Sequence, residues 1–181
     1  MYTSMLLLLL PVAVSGAAVV YSGDGCPSSA PAVDKSGDGF DDVSFRLNAF
    51  AVSSADVYSS TANCEVHVQA SGASAGWQVG VSDVYVRGRL VLDPGAQMDF
   101  YVTVRGSLKN TGSSRTDQIA TAHGSIPGDR VAWGPCTGSA GDIGILNVNF
   151  RTALQGGGYG SFGGKGADSA VESWDYVWRR C

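Results

Sequence analysis

VYVRGRLVLDPGAQMDFYVTVR, residues 84–105, decides the fold class. Small and apolar side chains occupy the even positions from Val84 to Leu92 and again from Ala96 to Val104, the period of two that half-buried strands require. Asp93-Pro94-Gly95 separates the two runs. Proline presets φ for a turn and cannot continue a ladder, while glycine supplies a positive φ. The pattern predicts a β-hairpin. On its buried side Leu92 pairs with Ala96, Leu90 with Met98, Gly88 with Phe100, Val86 with Val102 and Val84 with Val104, the Phe100 ring covering the gap at Gly88. The outer face then sets Arg89 opposite Asp99, Arg87 opposite Tyr101 and Tyr85 opposite Thr103. A slip of one residue would bury the arginines, so the register is expected to be firm.

Upstream, Trp77 to Val81 is apolar on odd positions whereas residues 84–92 are apolar on even ones. The change of parity at Ser82-Asp83 predicts a β-bulge or bend. Residues 43–50 and 64–70 alternate as two further strands, and residues 71–76 are a small-residue turn. Residues 22–39, rich in Gly, Ser, Asp and Pro, are read as an extended lead-in. Downstream, residues 109–117 are polar and turn-rich, 118–124 form a short strand, and 126–138 form a loop broken by Pro127 and Pro135. Residues 143–154 return a core strand, the glycine-rich residues 156–166 form a mobile loop, and 174–178 form the last strand with Trp174, Tyr176 and Trp178 on one face. With no amphipathic helix and no internal repeat, the expected architecture is an all-β antiparallel β-sandwich with two disulfides, a closed barrel being the second choice.

The 181 residues suffice for one domain with a core. Residues 1–18 read as a signal peptide: Met5 to Leu10 and Pro11-Val12-Ala13-Val14 form the apolar run, and Ser15, Gly16, Ala17 and Ala18 offer a cleavage site. The run is too short to span a bilayer, and residues 19–181 are assigned to a single β-sandwich domain. Twelve Lys and Arg against sixteen Asp and Glu give a net charge of -4. No basic run accompanies it, so nucleic acid is not an expected partner, nor is a membrane once the leader is removed. Four cysteines, Cys26, Cys64, Cys136 and Cys181, allow three pairings. Cys26 with Cys64 and Cys136 with Cys181 is the expected pair of bridges, because these loops do not overlap and clip the two ends of the domain. No CxxC is present to suggest zinc or redox chemistry.

Gly72-Ala73-Ser74-Ala75-Gly76 matches a G-x-S-x-G nucleophile elbow, with His123 available downstream. The elbow needs a following helix, and Trp77 onward alternates as a strand, so the reading is a turn. Asp34, Ser36, Asp38 and Asp42 hold oxygen side chains at calcium-loop spacing, but Phe45 stands where the bidentate glutamate belongs. A solvated acidic turn is favoured over a looser calcium site, and no other cofactor is expected. His67 and His123 are read as ordinary surface or edge histidines. Trp77, Trp133, Trp174 and Trp178 are read as core packing and disulfide shielding rather than a sugar-stacking platform. No glycosidase carboxylate pair is assigned, since that requires a measured separation. The row Tyr85, Arg87, Arg89, Asp99 and Tyr101 is the candidate binding face, because Tyr and Arg are enriched at recognition sites, although simple cross-strand pairing on a wet face is the favoured reading.

Gly25-Cys26-Pro27, Asn63-Cys64, the segment 85–88 before an apolar strand, Trp133-Gly134-Pro135-Cys136 and the terminal Trp178-Arg179-Arg180-Cys181 resemble a family of small secreted proteins, mostly of filamentous fungi, known as domain of unknown function family 4360. The resemblance implies secretion and two disulfides, and no established activity. The expected function is non-catalytic binding of a polysaccharide or an extracellular protein at a cell wall or host surface. The alternatives are a carbohydrate-acting hydrolase using carboxylates and a structural component of a wall or spore coat.

Overall fold

A computed structural model describes residues 15–29, 31–37, 39–54, 61–103, 106–111 and 116–181. In chain order the strands are β1 (Ser15–Ser22), β2 (Val33–Ser36), β3 (Ser44–Leu47), β4 (Ala51–Ser53), β5 (Thr61–Ser71), β6 (Trp77–Leu92), β7 (Ala96–Val102), β8 (Gly106–Thr111), β9 (Thr116–Ser125), β10 (Ile145–Gly156), β11 (Gly160–Gly163) and β12 (Ala170–Arg180). One sheet runs β1-β5-β10-β7-β8 and the other β2-β3-β12-β6-β11-β4, with β9 on the free edge of β6. All pairs are antiparallel, and the inner faces of the two open sheets stack as a sandwich. Among the described residues no helix is long and apolar enough to cross a membrane.

The predicted hairpin is corrected. Its turn is real: Gly95 has a φ of 86°, and the Ala96 amide donates to the Asp93 carbonyl at 3.1 Å. The two arms, however, enter different sheets. Leu90 stands opposite Gln118 of β9 and Phe162 of β11, and Phe100 stands opposite Thr152 of β10 and Leu108 of β8. The even positions from 84 to 92 and from 96 to 102 are buried as expected, but they meet across the core rather than along one sheet; Val104, expected opposite Val84, lies outside the described residues. Alternation reports which face of a strand is inward; it carries no information about which strand lies on either hydrogen-bonding edge.

The glycine gap is filled by another ring. A Cβ at Gly88 would lie 2.7 Å from Cζ of Phe162, and the Phe162 ring meets Phe100 edge-on at 4.9 Å. Phe50, Phe100, Phe150 and Phe162 are fully buried in one cluster, each ring contributing about 2–3 kcal/mol through burial. The glycine-rich segment therefore is not a free loop. Its residues 160–163 form β11, seated between β4 and β6.

The parity switch at Ser82 is borne out. Asp175 pairs with Asp83 and Tyr176 with Val81, leaving Ser82 unmatched in β6, so one extra residue returns both halves of the long strand to the same core. The expected strands at 43–50, 64–70, 118–124, 143–154 and 174–178 all have counterparts, with shifted ends. The lead-in differs, because residues 33–36 pair with β3 as an edge strand. Residues 1–14 of the expected leader lie outside the described residues, and residues 15–18 open β1 along β5.

Both expected disulfides are present: Cys26 with Cys64, Cα atoms 5.3 Å apart, and Cys136 with Cys181, 6.0 Å apart. With sequence separations of 38 and 45, each closure restricts the unfolded chain by about 4 kcal/mol in the loop-entropy model. The first fastens the lead-in to β5, and the second fastens the end of β12 to the loop after β9.

Candidate functional site

The outward residues of β5, β10 and β7 form the floor of a groove. Inward positions of these strands are apolar apart from Thr152, so alternation sends Asn63, Asn149, Arg151, Gln155 and Tyr101 to the opposite face. The antiparallel register sets Asn63, Arg151 and Tyr101 side by side, about 4.8 Å from strand to strand. With Thr103, these residues line an open cavity of about 680 Å³. No carboxylate is among the described lining residues.

Asp99 underlies one end of this groove. It lies on the outer face yet is only 7% exposed, because three neighbouring side chains enclose its carboxylate. The Gln97 amide donates at 2.8 Å, the Gln155 amide at 2.7 Å, and the Tyr101 hydroxyl at 3.4 Å. Charge-assisted bonds of this kind hold side chains firmly. They anchor the hydroxyl end of Tyr101 and leave its ring, 38% exposed, beside Arg151.

The structure divides the candidate binding row. Tyr101 lines this groove and Asp99 is enclosed beneath it on the same sheet, whereas Tyr85, Arg87 and Arg89 lie on the outer face of the other sheet. The expected cross-strand pairs are replaced. Arg89 contacts Asp168 at 3.5 Å. Tyr85 stacks on His123 with ring centroids 4.5 Å apart, and its hydroxyl donates to Asp175 at 3.2 Å.

His123, read from the sequence as an ordinary surface or edge histidine, also bonds through Nε2 to Asp83 at 2.9 Å. Burial works to raise the Asp83 carboxyl, but hydrogen bonds from His123, Ser125 and Ser82 outweigh it and hold the group below its ordinary value. Sequence reasoning missed this cluster because it depends on β9 lying along β6, which no local pattern signals. His67 is an outward strand residue as expected, and its Nδ1 bonds Asn147 at 2.7 Å.

The calcium-loop residues are engaged in closing the β2–β3 connection. Asp34 accepts from the Asn48 amide at 2.7 Å, Ser36 bonds Ser44 at 2.5 Å, and Asp42 accepts from the Gly39 amide at 3.1 Å. Asp38 lies outside the described residues. Among the described residues no group of three or more His, Cys, Asp or Glu is placed to hold a metal ion. Ser74 sits in a turn leading directly into β6, without the helix that a nucleophile elbow needs.

The tryptophans are engaged internally. Arg179 lies 4.1 Å over Trp133 and Arg180 4.9 Å over Trp77, beside the terminal disulfide. Trp174 is buried, and Trp178 packs edge-on to Phe40 at 6.1 Å. The Trp174 ring nitrogen donates to Glu172 at 2.6 Å. Glu172 is 0% exposed, and its second oxygen has no hydrogen-bond partner. Burial pushes its carboxyl up to about 8, against the smaller pull of the Trp174 N–H on the anion.

Residues 13–181 match the family model described as a domain of unknown function, DUF4360. No curated protein matches the sequence. Distantly similar solved structures include two that cover most of this chain. One is TmCBM61 in complex with beta-1,4-galactotriose, at 11% identity over 90% of this chain and 88% of that one, with a TM-score of 0.25. The other is the enzymatically active domain of tailspike protein 4 of bacteriophage CBA120, at 10% identity over 87% of this chain and 19% of that one, with a TM-score of 0.26. At these scores neither bears on what this chain does.

Proposed function

We propose that this chain, which belongs to the DUF4360 family, is an exported, non-catalytic binding protein whose outer groove on the five-stranded sheet takes a polysaccharide at a cell wall or host surface. The observation that carries the reading is the row Asn63, Arg151 and Tyr101 along an open groove of about 680 Å³. Amide and guanidinium groups exchange hydrogen bonds with sugar hydroxyls, and a fixed aromatic ring covers the apolar face of a pyranose at small entropic cost. An open floor admits a chain from either end. The described lining has no carboxylate, which favours binding over hydrolysis by a carboxylate pair. Two disulfides suit an oxidising, extracellular setting.

The test is retention of the oxidised protein on insoluble chitin, β-glucan, cellulose and xylan, beside Tyr101→Ala and Arg151→Gln variants, with released sugar assayed in the supernatant. Retention of the parent on at least one polymer, lost in Tyr101→Ala without sugar release, is the expected result. Retention unchanged in both variants removes the groove from the reading, and sugar release overturns the non-catalytic assignment.

A further inference from the structure

The groove on the five-stranded sheet holds a charge that its own walls do not answer. Arg151 is exposed on β10, the middle strand of the floor, one strand from Asn63 of β5 and one strand from Tyr101 of β7. Among the described residues its guanidinium makes no ion pair and no hydrogen bond. Two carboxylates of the same face come near without neutralising it. Asp99 stands opposite Ala153, but its oxygens are taken by the amides of Gln97 and Gln155 and by the Tyr101 hydroxyl. Glu65 stands opposite Asn149, outside the lining of the groove. That position is diagonal to Arg151, about 7–8 Å away between backbones, and the two side chains form no ion pair.

A second observation is the balance of donors and acceptors on the floor. Asn63 and Asn149 line the groove beside Arg151, and their side-chain amides make no hydrogen bond among the described residues. A guanidinium brings five N–H donors and no acceptor, and each amide brings two donors more. No carboxylate in the described lining offsets them. The floor is therefore rich in donors around one unpaired cation, in a chain whose net charge is -4. Attraction of the whole protein to a polyanion would be unfavourable, so any selection of negative charge has to come from this spot.

We infer, resting on the polysaccharide reading above, that the groove selects acidic polysaccharides, chains that carry uronate carboxylates, over neutral ones. One sugar ring covers Tyr101 while the carboxylate of a neighbouring ring takes paired N–H bonds from Arg151, and the Asn63 and Asn149 amides reach the surrounding oxygens. The planar guanidinium matches a carboxylate through two parallel bonds. A neutral sugar offers it hydroxyls alone, and bonds to a charged acceptor are about twice as strong as those to a neutral one.

The experiment passes the oxidised, full chain over immobilised polygalacturonate and over the same polymer fully methyl-esterified, at low salt and with EDTA to prevent bridging by cations. The two supports share a backbone and differ in the charge of the carboxyl. Retention about tenfold stronger on the acid form is expected. Arg151→Gln should abolish that preference and leave retention on the ester unchanged, whereas Tyr101→Ala should weaken retention on both forms. Arg130→Gln removes the same charge on an exposed turn and should keep the preference. Equal retention of the parent on the two forms, or a preference that survives Arg151→Gln, overturns the inference and leaves the groove a site for neutral chains. Loss of the preference in Arg130→Gln marks a net-charge effect and also overturns it. Retention on neither form overturns it as well, and the polysaccharide reading fails with it only if chitin, β-glucan, cellulose and xylan do not retain the protein either.

Discussion

Replacing Glu172 by glutamine should invert the order of stability of parent and variant across the pH range. Glu172 is sealed between the sheets, with the Trp174 N–H its partner on one oxygen and nothing on the other. Its folded carboxyl titrates at about 8, against an ordinary value of 4.5. Between these values the folded state retains a proton that the unfolded chain releases. Folding stability therefore falls as pH rises through this window, by about 1.4 kcal/mol per unit, and is flat with respect to this group above about pH 8. The loss is about 3 kcal/mol at pH 7 and about 5 kcal/mol once the window is crossed.

Glutamine retains the acceptor for Trp174 and removes the titration, while its amide leaves donors unpartnered at a cost of about 1–3 kcal/mol. The parent should be the more stable at pH 5 and the variant the more stable at pH 9. Urea unfolding of both proteins with disulfides intact, at pH 5, 7 and 9, measures the difference, in which titrations common to both cancel. A parent-minus-variant difference that stays constant from pH 5 to pH 9 would refute the reasoning.

Two more perturbations probe the frame around the groove. Phe162→Ala should remove the ring that covers Gly88 and destabilise the domain by about 3–5 kcal/mol, lowering the calorimetric Tm by about 10 °C or more. A drop under 1 °C would contradict its place in the core. A Cys136→Ser/Cys181→Ser double variant should lose about 4 kcal/mol and loosen the stacking of Arg179 and Arg180 on Trp133 and Trp77. Denaturant midpoints and tryptophan fluorescence report the two effects separately.

The strand content and the inward residues were legible because burial on one face imposes a period of two on the side chains themselves. The bulge was legible for the same reason: Ser82 is where parity changes, and an extra residue is what restores it. Of the three pairings the cysteines allow, the one preferred because its loops do not overlap is the one present. The hairpin between residues 84 and 104 was misread because its turn and its alternation are both genuine, yet consistent equally with adjacent strands and with strands facing each other across a core. β11 was hidden because its flanking glycines dilute the pattern, leaving Phe162 as a single apolar signal in a small-residue segment.

The candidate site shows the same division. That Tyr101, Arg87 and Arg89 point away from the core was readable from parity, but their grouping was not. Asn63, Arg151 and Tyr101 are far apart in the chain and meet because β10 pairs on both edges. The sequence by itself determined the all-β class and the inward set, since each depends on local period, while counting cysteines gave two bridges and left three pairings between which the structure decided. The tertiary structure alone decided which outward side chains share a surface. That choice rests on edge pairing through backbone amides and carbonyls, groups that are the same at nearly every residue and so leave no trace in side-chain order.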